Sequence, residues 1–256
     1  MTKDVAARLA SLAREYPPAL TASQLSDVPR IAFHLALALG STPERWADTA
    51  VCDIGGGVGL FSVGCAALGV RRSVLIDDFR DGINVGFGDA ALGPHRAYGV
   101  EVHACDAIAD GLRPKGPFDV VTTFDSMEHW HSSPRRLFAD VVRELKPGGR
   151  FVLGGPNCVN LRKRISVPLG RGKWSAFEDW YAPDVFRGHV REPDVDDLRR
   201  IAADLKLERV RILGRNWLGH GSSSRMARMA TRIIDHPLRL RPSLCSDIYL
   251  VGHKPG

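Results

Sequence analysis

No stretch of this 256-residue chain approaches the roughly 18 consecutive apolar residues that cross a bilayer. The opening Met1-Thr2-Lys3-Asp4 lacks the apolar core of a secretory leader, so a cytoplasmic location is expected. Cysteine is sparse. The five present (Cys52, Cys65, Cys105, Cys158, Cys245) are odd in number, and none forms a Cys-x-x-Cys pair. That argues against a disulfide framework and a structural zinc site, and leaves buried reduced thiols as the expectation. Internal repeats and low-complexity tracts are absent. What is there is ordinary globular material: 44% hydrophobic and 25% charged residues, enough for one large α/β domain with insertions. The net charge of +6 is compatible with an acidic partner or simply with an Arg-rich composition, and the latter is preferred for most of the chain.

Apolar spacing predicts a helix over Val5–Tyr16, stopped by Pro17-Pro18, and a second over Asp27–Leu39, closed by Gly40. The pattern then changes to short apolar runs at 50–54, 73–77, 100–105, 118–124 and 150–154, with helices expected at Leu60–Leu68 and Pro134–Leu145. Two later strands are expected at 207–213 and 246–252, the first preceded by a helix over Val195–Leu205. Strands alternating with helices predict a parallel sheet covered on both faces. The expected division is an N-terminal helical cap over 1–45, a core over 46–155, a lid insertion over 156–193 and a C-terminal part of the core over 194–256. That last part has a second insertion at 219–243. A structureless loop as long as 156–193 is improbable, which favours a lid or small subdomain there.

The first strand runs directly into Asp53-Ile54-Gly55-Gly56-Gly57-Val58-Gly59, and a helix follows. Gly55, Gly57 and Gly59 lack a Cβ, so the backbone can turn sharply and approach a ligand closely. The helix start aims free N–H groups at it. Asp77 ends the second strand about 20 residues on, where a carboxylate can take hydrogen bonds from ribose hydroxyls. An ordinary helix cap is the plainer reading of Asp77 and of Asp78 beside it. An adenosine ribose is common to nicotinamide dinucleotides and S-adenosylmethionine, so Asp77 alone does not choose between them. The glycine spacing is one residue tighter than the dinucleotide fingerprint. Asp106 ends the third strand, and Leu145-Lys146-Pro147-Gly148-Gly149 leads into the fifth.

This set resembles the class I S-adenosylmethionine-dependent methyltransferase superfamily. Val51–Gly59 is similar to its first motif, Asp77 to its second, Asp106 to its third and Phe118-Asp119-Val120-Val121 to its fourth. Lys146-Pro147-Gly148-Gly149 is similar to its turn before strand five. The resemblance is firm over Val51–Gly154 and loose beyond. It implies a Rossmann-like, doubly wound, seven-stranded and mostly parallel sheet with a reversed last strand. It implies S-adenosylmethionine as cofactor, with Asp53, Gly55, Gly57 and Gly59 by the methionine end, Asp77 and Asp78 by the ribose, and Asp106 by the adenine. Ala107 and Phe124 are carried along as cofactor neighbours.

A hydroxyl acceptor must lose a proton, which calls for a base just past the fourth strand. That segment is Phe124-Asp125-Ser126-Met127-Glu128-His129-Trp130-His131. His129 is the expected base and His131 the second choice; Glu128 and His129 acting only to order the loop is an equal reading. Glu128 and Trp130 are assigned to the acceptor side, with core packing the preferred reading of Trp130. No tight ligand spacing supports a metal at Asp125, Glu128 and the histidines, so none is expected. In the insertion, Trp174, Trp180, Tyr181 and His189 are the acceptor-facing candidates, because aromatic and basic groups together suit sugars or lipid-phosphate-linked molecules. A solvated helix with inward aromatics is the plainer reading there. The Arg162-Lys163-Arg164 run suggests transient contact of 160–174 with a membrane surface. The favoured acceptor is a saccharide or small-molecule intermediate methylated on oxygen, with nitrogen or carbon methylation as alternatives. An oxidoreductase is disfavoured by the glycine spacing. A nucleic-acid partner is disfavoured because no Asn/Asp-Pro-Pro-Tyr/Phe motif follows strand four.

Overall fold

The computed structural model describes residues 3–40, 42–80, 86–171, 175, 177–217 and 225–256. Two helices come first, α1 (Lys3–Ala13) and α2 (Pro18–Leu39). The second starts nine residues earlier than its apolar spacing predicts, because Pro18 opens the helix at a position where a missing N–H costs nothing. It also continues through Pro29. The bond lost there is offset by burial of Leu20, Val28, Ile31, Ala32 and Leu35 on one side.

Seven strands follow: β1 (Ala50–Ile54), β2 (Arg72–Asp77), β3 (Glu101–Ala104), β4 (Phe118–Phe124), β5 (Leu145–Pro156), β6 (Glu208–Arg215) and β7 (Asp247–His253). They form one sheet in the order β3-β2-β1-β4-β5-β7-β6. Pairing is parallel from β3 to β5, while β7 runs antiparallel to both β5 and β6. The reversed strand is therefore β7, slotted between its neighbours. The central strands read as continuous apolar runs because both faces are covered. On one face α1, α2 and α3 (Leu60–Ala67) build a cluster with Leu9, Leu12, Leu35, Leu60 and Phe61. On the other, α6 (Arg135–Glu144) and α9 (Val195–Asp204) press Leu137, Val141 and Leu198 onto Phe118, Phe151 and Leu250. The described residues between α3 and α6 include the short helices α4 (Gly93–Ala97) and α5 (Ala107–Asp110).

The turn Lys146-Pro147-Gly148-Gly149 falls inside β5 rather than before it. The register between β4 and β5 shifts there, with Gly148 at φ 72°, and Lys146 Nζ donates to both oxygens of Asp119 at 2.7 and 2.8 Å. The signature is thus a bulge that pins the fifth strand to the fourth.

Segment 157–193 carries α7 (Leu161–Ser166) and α8 (Phe177–Tyr181). Its base is tied to the sheet: Asn157 Nδ2 donates to the carbonyls of Ser243 and Cys245, and Asn160 caps α7 through Lys163 N at 3.0 Å. Its far end is tied by the capping box of Asp194 and Asp197 on α9. Between β6 and β7 lies α10 (Arg225–Leu238). No helix among the described residues is long and apolar enough to cross a membrane.

Candidate active site

At the carboxyl ends of the parallel strands lies a cleft of about 350 Å³, lined by Gly55, Asp77, Asp78, Asp106, Ala107, Asp125, Ser126, His129, Trp130, His131 and Arg187 among others. This volume falls in the range of small-ligand sites.

The glycine loop forms one wall. Gly55 sits at φ 74° and Gly57 at φ 53°, conformations that side chains disfavour. A Cβ on Gly55 would fall 1.8 Å from Ser126 Oγ, so the β1 and β4 ends approach only because this residue is glycine. Asp77 braces the loop from β2: its two oxygens accept from Gly57 N at 2.9 Å and Phe79 N at 2.7 Å. Gly59 opens α3, and its carbonyl accepts from Tyr16 Oη at 3.3 Å. Asp106 caps α5 through Ile108 N and Ala109 N with one oxygen. Asp78 accepts from Arg80 N and faces Arg187 Nη1 of the insertion at 3.9 Å.

Two of the residues expected beside the cofactor lie elsewhere. The Asp53 carboxylate is buried beneath the loop, accepting from Thr122 Oγ1 at 2.7 Å and Ser62 Oγ at 3.1 Å. A Cβ on Gly56 would collide with it at 2.1 Å. Burial pushes its carboxyl up to about 6, against those two hydrogen bonds. Phe124 faces the core, stacked on His34 at 4.0 Å and edge-on to Phe61. The alternation of β4 turns its side chain onto the helical layer, away from the cleft.

The opposite wall follows β4. Asp125 is held at φ 49°, a left-handed conformation rare outside glycine and asparagine, and accepts from Arg30 Nη1 at 2.7 Å. Burial raises its pKa despite Arg30. Glu128 is only 2% exposed, and its Oε2 has no partner among the described residues. Burial, then the neighbouring Asp125 and Glu192 carboxylates, push Glu128 up to about 8. Its backbone carbonyl accepts from Val190 N at 2.7 Å and Arg191 N at 3.2 Å, which docks the insertion onto this loop.

His129 and His189 meet across that junction, ring centroids 4.8 Å apart at 84°. His129 Nδ1 is 2.9 Å from the Arg187 carbonyl. A carbonyl only accepts, so Nδ1 carries the hydrogen and Nε2 keeps its lone pair. Burial lowers the His129 pKa, against the hydrogen bonds to the Arg187 and Gly188 carbonyls. His189 Nδ1 lies 2.8 Å from Glu192 Oε1, and the buried Lys163 Nζ pairs with Glu192 Oε2. Burial opposes ionisation of Glu192, but the bonds from His189 and Lys163 hold it below the usual carboxylate range. Glu128, His129 and His189 each offer a ligand-capable atom, all within 4.8 Å of one another.

His131 and Trp130 line the same cleft, and Trp130 also packs on Phe138 at 5.9 Å. Trp180 and Tyr181 do not reach it: they are 60% and 69% exposed and contact each other and Phe177. A five-residue helix has too little surface to bury three large rings. Trp174 lies outside the described residues. In the basic run, Lys163 turns inward onto Glu192 and Arg164 donates to the Val159 and Ser243 carbonyls, so among the described residues only Arg162 lacks such ties. The sequence assigns no role to Ser126, Arg187 or Glu192 and places Lys163 only in a surface basic run; the signal for Arg187 and Glu192 is the Arg-x-His-x-x-Glu spacing around His189.

A family model described as a methyltransferase domain matches residues 22–211. A search of curated proteins returns no match. Among solved structures, the chain is similar to an S-adenosylmethionine-dependent methyltransferase from Mesorhizobium loti (TM-score 0.54, 18% identity, covering 89% of this chain and 97% of that one). It is also similar to one from Thermotoga maritima (TM-score 0.53, 16% identity, 88% and 90%). A third, phosphoethanolamine N-methyltransferase 2 from Haemonchus contortus in complex with S-adenosyl-L-methionine, gives a TM-score of 0.50 at 16% identity; the match covers 81% of this chain and 49% of that one.

Proposed function

Because the chain belongs to the class I S-adenosylmethionine-dependent methyltransferases, we propose that its cleft transfers a methyl group to a hydroxyl of a saccharide or similar small molecule. The observation that carries this reading is His129, oriented by the Arg187 carbonyl in the same cleft as Gly55, Asp77 and Asp106. When bound, the cofactor supplies a methyl group already activated on a sulfonium. The residues of the cleft fit it: a loop wall without side chains at Gly55, and carboxylates at Asp77, Asp78 and Asp106 for hydroxyl and amino donors. Asp77 braces Gly57 and stands at the end of β2 on the ribose side of the cleft. Gly57 and Gly59 shape the loop from behind, and beneath it Asp53 ties β4 to α3 through Thr122 and Ser62.

On the acceptor side, His129 Nε2, left with its lone pair by the Nδ1 bond to the Arg187 carbonyl, takes the hydroxyl proton. His131 stands at the same wall as a second proton acceptor, and Trp130 offers its ring to the acceptor. Segment 156–193 serves as the lid: its docking on the Glu128 carbonyl and the Arg187–Asp78 approach span the cleft from acceptor to cofactor side. The segment over 1–45 serves as the cap behind the glycine loop, through Tyr16 and Gly59.

Incubation with methyl-labelled cofactor and a panel of sugars and phenols, followed by mass spectrometry, tests the proposal. A labelled methyl ether supports it. Label found only on nitrogen or carbon, or no transfer by a protein that binds S-adenosylhomocysteine, removes it.

A further inference from the structure

We propose that Glu128, His129 and His189 hold a divalent transition-series cation, of the manganese or zinc kind, placed to bind the acceptor hydroxyl oxygen. The inference rests on the methyltransferase reading above and adds to it a ligand site. Its residues come from two segments sixty positions apart, so no local spacing advertises it.

Three independent features converge. The first is proximity. The three ligand-capable atoms lie within 4.8 Å of one another. Bonds of about 2.1 Å at tetrahedral angles place two ligand atoms about 3.4 Å apart, so the widest pair closes by up to about 1.4 Å on binding.

The second is the outer shell. A metal-bound histidine typically donates its other N–H to a carboxylate or a carbonyl, which fixes the ring and its tautomer. Both histidines do so here. His129 Nδ1 faces the Arg187 carbonyl and His189 Nδ1 faces the Glu192 carboxylate, leaving two Nε2 lone pairs. Glu192 is itself fixed by Lys163, buried beside it.

The third is the orphan oxygen. Glu128 Oε2 is buried without a partner among the described residues, a costly state for a carboxylate. The absent side chain at Gly155 makes room for it, since a Cβ there would sit 3.1 Å from Oε2.

Two imidazoles and one carboxylate suit manganese, iron or zinc better than magnesium or calcium. Three protein ligands leave positions open for the acceptor. A hydroxyl bound there becomes more acidic and releases its proton to solvent at the cleft mouth. Its oxygen keeps the electron pair that forms the new O–C bond, while the breaking S–C pair stays on sulfur. With the cation bound, His129 serves as a ligand in place of a proton acceptor.

The test uses the full chain, stripped of metal and titrated with MnCl2 and separately with ZnCl2, with unbound metal measured at each step. Calorimetry follows S-adenosylhomocysteine in parallel. Retention of one ion per chain is expected. Affinity should fall at least tenfold in both His189→Ala and Glu192→Gln, with S-adenosylhomocysteine binding unchanged as proof of folding. Retention of neither metal, or both variants binding like the wild type, overturns the cation site. If the wild type binds S-adenosylhomocysteine but neither metal, the cation fails and the methyltransferase reading stands. If S-adenosylhomocysteine does not bind, the reading beneath it falls too.

Discussion

The two walls of the cleft are built by opposite strategies. The cofactor wall is sequence-local and made largely of backbone. Gly55, Gly57 and Gly59 follow β1 directly, and one carboxylate per neighbouring strand end, Asp77 and Asp106, completes it. The acceptor wall is made of side chains from distant segments. Arg30 of α2 holds Asp125, Val190 and Arg191 hold the Glu128 carbonyl, and Arg187 orients His129. A wall of backbone serves one invariant cofactor. A wall of side chains on a docked insertion can be rebuilt for a new acceptor without disturbing the sheet.

Acid should weaken the first wall by the largest margin. His95 is fully buried behind the glycine loop, edge-on to Tyr16, and burial holds its pKa near about 4 against an ordinary 6.5. Below 6.5 the unfolded chain takes up a proton that native His95 refuses, so the contribution of His95 to stability falls as pH drops from 6.5 toward 4, while the raised carboxyls of Asp53 and Glu128 act in the opposite direction. The His95 contribution reaches on the order of 3 kcal/mol at about 1.4 kcal/mol per pH unit. Urea titrations across that window should show the wild type losing stability relative to His95→Gln as pH drops. Parallel slopes would remove His95 as the cause.

The next effect separates the walls. His129→Ala should lower turnover by about a hundredfold or more while leaving S-adenosylhomocysteine affinity intact. Asp77→Ala should do the reverse, weakening cofactor affinity by roughly tenfold or more, about 1.4 kcal/mol. Unchanged affinity in that variant would take Asp77 out of the ribose site. The smallest effect belongs to the charged approach between the walls. Arg187→Ala breaks an exposed 3.9 Å approach to Asp78, so cofactor affinity should change by about threefold or less, as exposed pairs are worth about 1 kcal/mol at most. A tenfold loss would show that the insertion grips the cofactor directly.

The same contrast explains what was legible in the sequence. The succession of strands and helices, the glycine loop and the Asp77 and Asp106 positions follow from short-range pattern, since a strand, a tight turn and a helix start occupy consecutive residues; the seven-stranded sheet with one reversed strand was implied by the family resemblance. Asp53 and Phe124 lie at the expected strand ends with side chains turned off the cleft, because side-chain direction depends on which layer each strand residue faces. The reach of α2 back to Pro18 was hidden because a proline both stops one helix and starts another. The acceptor wall was legible only in its first half. Glu128 and His129 stand out locally, and His189 was singled out in the insertion, but nothing in the sequence puts His189 beside His129. Trp180 and Tyr181 illustrate the converse: aromatic composition suggested a ligand surface, whereas their short helix leaves them facing solvent.

The central claim is that one cleft joins a cofactor wall to a proton-removing corner at His129. Its most direct test is methyl transfer to a hydroxylated acceptor by wild type and His129→Ala, with S-adenosylhomocysteine affinity measured on the same samples. Transfer that collapses in the variant while affinity stays at the wild-type value agrees with the claim. Equal transfer by both proteins, or affinity lost together with transfer, contradicts it.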